Sequence, residues 1–232
     1  MNEADRTTAE HHGAIWGEFR RNPFVTAWTG RAALAAGVTA TLGFVIPVDD
    51  EAIRGRLSEV VARLNATGGV VPFPPDYWHI TIVPPAQLTS GDPSPPELLA
   101  ESFSEEALAK ARDAIRDAAP FDVTVRGLNA FQDVVVAVPF DGGRGLELGT
   151  MIRESVPELP QRYPGGLEPL PHISLTQYAR DDRLDELVAL IEGDREREFG
   201  EFRAERVEMF VVPWSDGVPG TVAKHALPLE GR

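Results

Sequence analysis

The chain is expected to adopt an α+β fold with two similar lobes, and three observations lead to that expectation. Helical and strand-like patterns alternate in the order βαβα, ββ, αβα, ββ. Two short motif strands each follow one helix and precede another, which makes a weak internal repeat. Most neighbouring strands read as hairpin partners. Alternating strands and helices also permit a parallel doubly wound sheet. Against that alternative, no glycine-rich phosphate loop follows the first strand.

Residues 1–38 read as a leader or helical extension, and residues 39–232 as a single bilobal domain. In the leader, HHGAIWGEFRRNP predicts a short helix stopped by Pro23. His11 and His12, near the terminus, are expected to be disordered. TLGFVIPV (41–48) predicts a buried strand. Asp49 and Asp50 can cap a helix with Ile53, Leu57, Val60, Val61 and Leu64 on one face, ended by Gly68-Gly69. YWHITIVPP carries a strand bounded by Pro75 and Pro84. SGDPSPPE is a loop by composition. Ser104 opens a helix with Leu108, Ala111, Ile115 and Ala118 inward. FDVTVRGLNAF and VVVAVPF form a strand pair, followed by a helix near 144–156. After the turn-rich YPGGLEPLP comes the second motif strand, LPHISLTQY. A helix from Asp181 with Leu184, Leu187, Val188 and Ile191 inward stops at Gly193. FRAERVEMFVVPW and TVAKHALPL close the chain as strands.

Composition narrows the function. A 232-residue chain that is 43% hydrophobic can bury a sizeable core, which argues against global disorder. Without cysteine it has no thiolate nucleophile, disulfide or cysteine zinc site. No apolar run is long enough to span a membrane, and no signal peptide is evident, so a cytoplasmic location is expected. The formal charge is −14 and no basic run exceeds Arg20-Arg21, so no surface for long nucleic acid is evident. A small anionic substrate needs only two or three local donors.

The motifs carry the chemistry. HITI begins at His79 and HISL at His172, the same histidine-apolar-hydroxyl-apolar pattern repeated 93 positions apart. Alternation along a strand puts His79 and Thr81 on one face with Tyr77, while Trp78, Ile80 and Ile82 face the core. It likewise puts His172 and Ser174 on one face with Thr176 and Tyr178, opposite Ile173, Leu175 and, less comfortably, Gln177. Imidazole titrates near neutrality, so one histidine can accept a proton while the other donates one. Thr81 and Ser174 can hold the non-bridging oxygens of a phosphate as charge develops. No metal or other cofactor is required. Tyr77, Tyr178 and Thr176 are candidates for substrate contact, the tyrosines by stacking on a base.

The paired tetrapeptides resemble the 2H phosphoesterase superfamily, which includes RNA 2′,3′-cyclic phosphodiesterases, also called 2′–5′ RNA ligases. The resemblance covers residues 39–229 in element order and is sharpest in HITI and HISL. It implies a bilobal, pseudo-two-fold fold in which two antiparallel sheets, helices outside, line a central cleft with the motif strands facing across it. It also implies metal-independent chemistry on a 2′,3′-cyclic phosphate or 2′–5′ phosphodiester, with the motif roles falling on His79, Thr81, His172 and Ser174. The partner it implies is a nucleotide or a short RNA end; the sequence names no protein partner. The leader is not part of the family core, and no basic residue follows the second motif until Arg180.

Two alternatives stay open on the residues alone: a non-catalytic nucleotide-binding module of the same fold, and a metal-dependent hydrolase using the two histidines. A third is a partner-binding domain whose leader is the functional piece. The hydroxyl two places after each histidine is a poor ligand for zinc or iron. Lys224 and Arg180 are candidates for an extra phosphate contact, folding can gather Arg180, Arg203 and Arg206 into a patch, Trp214 can edge the cleft, and His225 reads as structural.

Overall fold

In the computed structural model, described for residues 1–23, 25–26, 37–91, 98–162, 169–213 and 223–231, the leader is helical ahead of Pro23 as expected, over more residues than its pattern marked. It holds a 19-residue helix, α1 (Glu3–Arg21). Asn2 caps it, its side chain accepting from the Asp5 amide at 2.9 Å. His12 is not disordered: it is 2% exposed, because α1 lies along the sheet and turns that residue inward.

β1 (Ala40–Pro47) is buried nearly throughout. α2 (Glu51–Ala66) starts at Asp50, whose carboxylate accepts from the Ile53 amide at 2.9 Å, and buries the expected Ile53, Leu57, Val60, Val61 and Leu64. Short β2 (Val70–Pro72) and a 3₁₀ turn (Pro75–Tyr77) lead into β3 (His79–Thr89), the first motif strand. β3 runs on through Pro84 and Pro85 instead of ending there. The β1 ladder slips between Val83 and Ala86, so those prolines sit where a ladder N–H is not needed. β4 (Leu98–Ala100) precedes α3 (Phe103–Ile115), whose cap position is Ser102, not Ser104. β5 (Phe121–Ala130) and β6 (Val134–Phe140) form the expected hairpin, followed by α4 (Arg144–Ser155). The second motif strand is β7 (Ile173–Tyr178), followed by α5 (Leu184–Gly193). The segment read as one strand after it is two, β8 (Glu198–Ala204) and β9 (Arg206–Pro213), and β10 (Ala223–Pro228) closes the fold.

The fold is α+β with a curled, largely antiparallel sheet. Its path runs β10-β9-β1-β3-β7-β6-β5-β8, with β2 beside β7 and β4 parallel to β3. The two sheets expected from the sequence are thus one hydrogen-bonded path. The halves meet between β3 and β7, where the single register pair is Ile80 with Ile173. α3 and α4 cover the first half, and α2 and α5 the second. α4 approaches β3 closely at Gly149, where a Cβ would lie 2.0 Å from the Ile82 carbonyl oxygen; only glycine fits. No helix among the described residues is long and apolar enough to cross a membrane.

Candidate functional site

The junction of the halves is where the two motifs meet. Ile80 and Ile173, paired across β3 and β7, are 1% and 0% exposed and point into the core. The residues flanking each point to the other face, so His79, Thr81, His172 and Ser174 share one side of the sheet, all half-buried. Antiparallel register around that pair sets His79 across from Ser174 and Thr81 across from His172.

Both histidines are anchored in the same way. His79 Nδ1 lies 2.5 Å from the Tyr77 carbonyl oxygen, and His172 Nδ1 lies 2.8 Å from that of Leu170. A carbonyl only accepts, so each Nδ1 carries the hydrogen and donates to the residue two positions earlier. In the neutral ring, Nε2 is then the free basic atom. Tyr77 meets the His79 ring edge-on at 5.0 Å between centroids, and Phe210 lies 5.2 Å away on a tilt. Gly43 makes room for Phe210, since a Cβ there would stand 2.7 Å from the ring. Phe131 meets the His172 ring at 5.0 Å.

Burial lowers both imidazoles. His79 falls to about 4, chiefly by desolvation, opposed by the Tyr77 carbonyl and assisted by His172 and Lys224. Desolvation also lowers His172, against the raising influence of the Leu170 carbonyl and Asp133. Both rings are therefore held towards the neutral form. A bound phosphate anion favours imidazolium and opposes that tendency.

A bulge follows the hydroxyl in each motif. Thr81 pairs with Val45 and Val83 with Phe44, leaving Ile82 as an extra residue in β3. Ser174 pairs with Val136 and Thr176 with Val135, leaving Leu175 extra in β7. The extra residue is the last of each tetrapeptide, HITI and HISL. A bulge advances the alternation by one. This corrects two sequence expectations: Thr176 and Tyr178 do not share the face of His172 and Ser174 but are buried at 0% and 2% exposure, Tyr178 stacked on Phe19 of α1. Burial pushes the Tyr178 phenol pKa up, and Tyr77, half-buried against Phe73, is pushed up to about 12 for the same reason. Gln177 instead rejoins the motif face. Its polar side chain on the supposed core side of β7 was the one sequence signal of the bulge.

The remaining candidates separate clearly. Lys224 lies on the first half, its Nζ donating to the Asp76 carbonyl at 3.0 Å and standing 3.5 Å from a Glu208 carboxylate oxygen. Arg180 is exposed and paired with Asp182. Arg203 pairs with Asp122 at 2.9 Å, and Arg206 with Asp49 at 2.6 Å and Glu208 at 3.0 Å. These arginines do not gather into a patch, since each already has its own carboxylate. His225 is exposed in β10, and Trp214 lies outside the described residues.

Comparison with known proteins agrees with this architecture. The crystal structure of TT0787 from Thermus thermophilus superposes with a TM-score of 0.59 at 23% identity, covering 81% of this chain and 97% of its own. E. coli LigT complexed with 3′-AMP gives 0.55 at 19%, covering 82% and 98%. Kluyveromyces marxianus Usb1 gives 0.51 at 15%, covering 84% and 100%. No curated protein matches the sequence. The family profile of the 2′-5′ RNA ligase superfamily, however, matches residues 49–212, which hold both motif strands and the junction between them, and on that match the chain belongs to the 2′-5′ RNA ligase superfamily, the 2H phosphoesterases.

Proposed function

We propose that the protein is a metal-independent phosphodiesterase acting on a 2′,3′-cyclic phosphate or 2′–5′ phosphodiester at the end of a nucleotide or short RNA. The superfamily acts on such bonds. The observation that carries the reading is the matched pair of histidines, each with Nδ1 tied to the carbonyl two residues earlier and Nε2 left free, on one face with two hydroxyls. On a cyclic phosphate, one imidazole takes a proton from water as the water oxygen bonds to phosphorus. The bond from phosphorus to one ribose oxygen breaks, and the other histidine, protonated, gives its proton to that oxygen. The product is a phosphomonoester. Thr81 and Ser174 donate to the non-bridging oxygens, where charge accumulates. Tyr77 and Gln177, on the same side, are the proposed contacts to the nucleoside. In this reading residues 39–232 form one catalytic domain, with the two motifs related by a pseudo-two-fold, and the matching bulges after Thr81 and Ser174 favour that relation. A cytoplasmic setting belongs to the same proposal.

Charge favours a short substrate. The chain carries −14, and Arg180, Arg203 and Arg206 each pair with a carboxylate, so these three do not form a cluster of phosphate contacts for long RNA.

The test is turnover by chelator-treated protein of 2′,3′-cyclic mononucleotides, 2′–5′ dinucleotides and a long RNA with the same cyclic end, with the phosphate position of each product determined. We expect activity to survive chelation and the short cyclic substrates to be used at least as well as the long RNA. Loss of activity on chelation, restored by a divalent cation, would replace the mechanism. A strong preference for long RNA that fades steeply with salt would replace the substrate.

A further inference from the structure

α1 lies outside the residues that the family profile matches, yet one of its side chains reaches the second motif. His12 Nε2 is 2.9 Å from the carbonyl oxygen of Pro171, the residue immediately before His172. Its Nδ1 is 2.9 Å from Asn129 Nδ2, which also donates to the His12 carbonyl at 2.8 Å. The Asn129 amide orientation is fixed, because its Oδ1 accepts from the Ala130 amide at 2.8 Å. Nδ1 of His12 must therefore accept and Nε2–H must donate to Pro171, which defines one neutral tautomer. Phe131 lies between the two rings, stacked on His12 at 5.9 Å and edge-on to His172 at 5.0 Å.

The first motif explains why a donor is needed there. The carbonyl before His79 belongs to Trp78, and it accepts from the Val48 amide at 3.0 Å, a ladder bond continuing β1. The two ladders correspond in register, Val45 with Thr81 matching Val136 with Ser174. Counting on from those pairs, Pro139 of β6 takes the place of Val48, opposite Pro171. Proline has no N–H, so β6 cannot supply the bond. The buried Pro171 carbonyl would go without a partner, which native structures avoid. His12 supplies the missing donor. The Leu170–Pro171 segment is then held at both carbonyls, one by His172 and the other by His12.

We propose that His12 is a positioning residue for His172, completing the second motif from a helix outside the residues that the family profile matches. The proposal rests on the reading that His172 exchanges the proton with substrate, and its test separates the two. Asparagine at this position retains an acceptor where Nδ1 stood but loses the donor to Pro171. Glutamine places an amide N–H near the former Nε2 and retains that donor. The experiment measures His12→Ala, His12→Asn and His12→Gln, with the exposed neighbour His11→Ala as control. Long-range proton–nitrogen NMR of the imidazoles reads tautomers without substrate, and kcat and KM for a 2′,3′-cyclic nucleotide are taken alongside. We expect His172 to lose its single Nδ1–H tautomer in His12→Ala and His12→Asn while His79 keeps its own. In the same two variants kcat should fall about 10- to 100-fold with KM little changed, the scale of a misplaced catalytic group. His12→Gln should stay near wild type in both measurements. An unchanged His172 spectrum in His12→Asn would overturn the proposal, as would activity retained by His12→Asn and lost in His12→Gln, which would mean that His12 merely anchors α1 to Asn129. If the wild type turns over no cyclic phosphate, the functional reading fails while the spectra still decide the role of His12.

Discussion

Replacing either His79 or His172 with alanine is expected to lower kcat/KM on a cyclic phosphate by about 10²- to 10⁴-fold, the usual worth of a positioned acid or base. The loss should be of that order for each, because each ring presents a free Nε2 from the same face and neither can stand in for the other. The double variant should lose far less than the product of the single losses, since groups acting as a unit are not additive. Stability should change little. Both rings are half-buried, and the partner each leaves behind is a carbonyl two residues away on its own chain segment. Kinetics and thermal unfolding on the same samples check both halves of the expectation. A variant that unfolds, or one that keeps full activity, would return that histidine to a structural role.

The two hydroxyls carry the next largest effect. Thr81→Val preserves the branched shape and removes one donor; Ser174→Ala removes the other. Each should cost about 10²- to 10³-fold, the range seen when a single donor to a developing oxyanion is lost. The loss should fall mainly on kcat, because the donors act most strongly on charge that is absent from the ground state. The register places Thr81 across from His172 and Ser174 across from His79, so the two losses should be of similar size. A loss confined to KM would mean that the hydroxyls bind the ground state and transition state alike.

The motif faces were legible because alternation over four residues needs only local geometry. Trp78, Ile80, Ile82, Ile173 and Leu175 all turned inward as the period-two pattern requires. The error at Thr176 and Tyr178 came one residue later. A bulge shifts the phase without a composition signature of its own, and only the awkward inward placement of Gln177 marked it. The joining of the halves into one sheet path depends on a single pair between strands far apart in sequence, Ile80 and Ile173, which no local pattern encodes. His12 was illegible for the same reason: Asn129 and Pro171 lie 117 and 159 positions away. A histidine near a terminus reads as solvated until the helix carrying it is seen lying on the sheet. The dispersed arginines are the converse case, since folding could have gathered them and instead gave each a carboxylate.

The central claim is that one motif histidine acts as base and the other as acid, and the pH dependence of the wild type beside His79→Ala and His172→Ala tests it most directly. In the free protein both imidazoles are lowered, His79 to about 4 and His172 below its ordinary value, each chiefly by desolvation. The base must be neutral, so activity falls as pH drops through its pKa. The acid must be protonated, so activity falls as pH rises through its own. The wild-type kcat/KM profile should therefore be a bell centred on the acid side of about 6.5, the ordinary imidazole value. The alkaline limb of kcat should lie at higher pH, because a bound phosphate anion stabilises the imidazolium. One alanine variant should lose the acidic limb and the other the alkaline limb. Both limbs surviving in either variant would contradict the account.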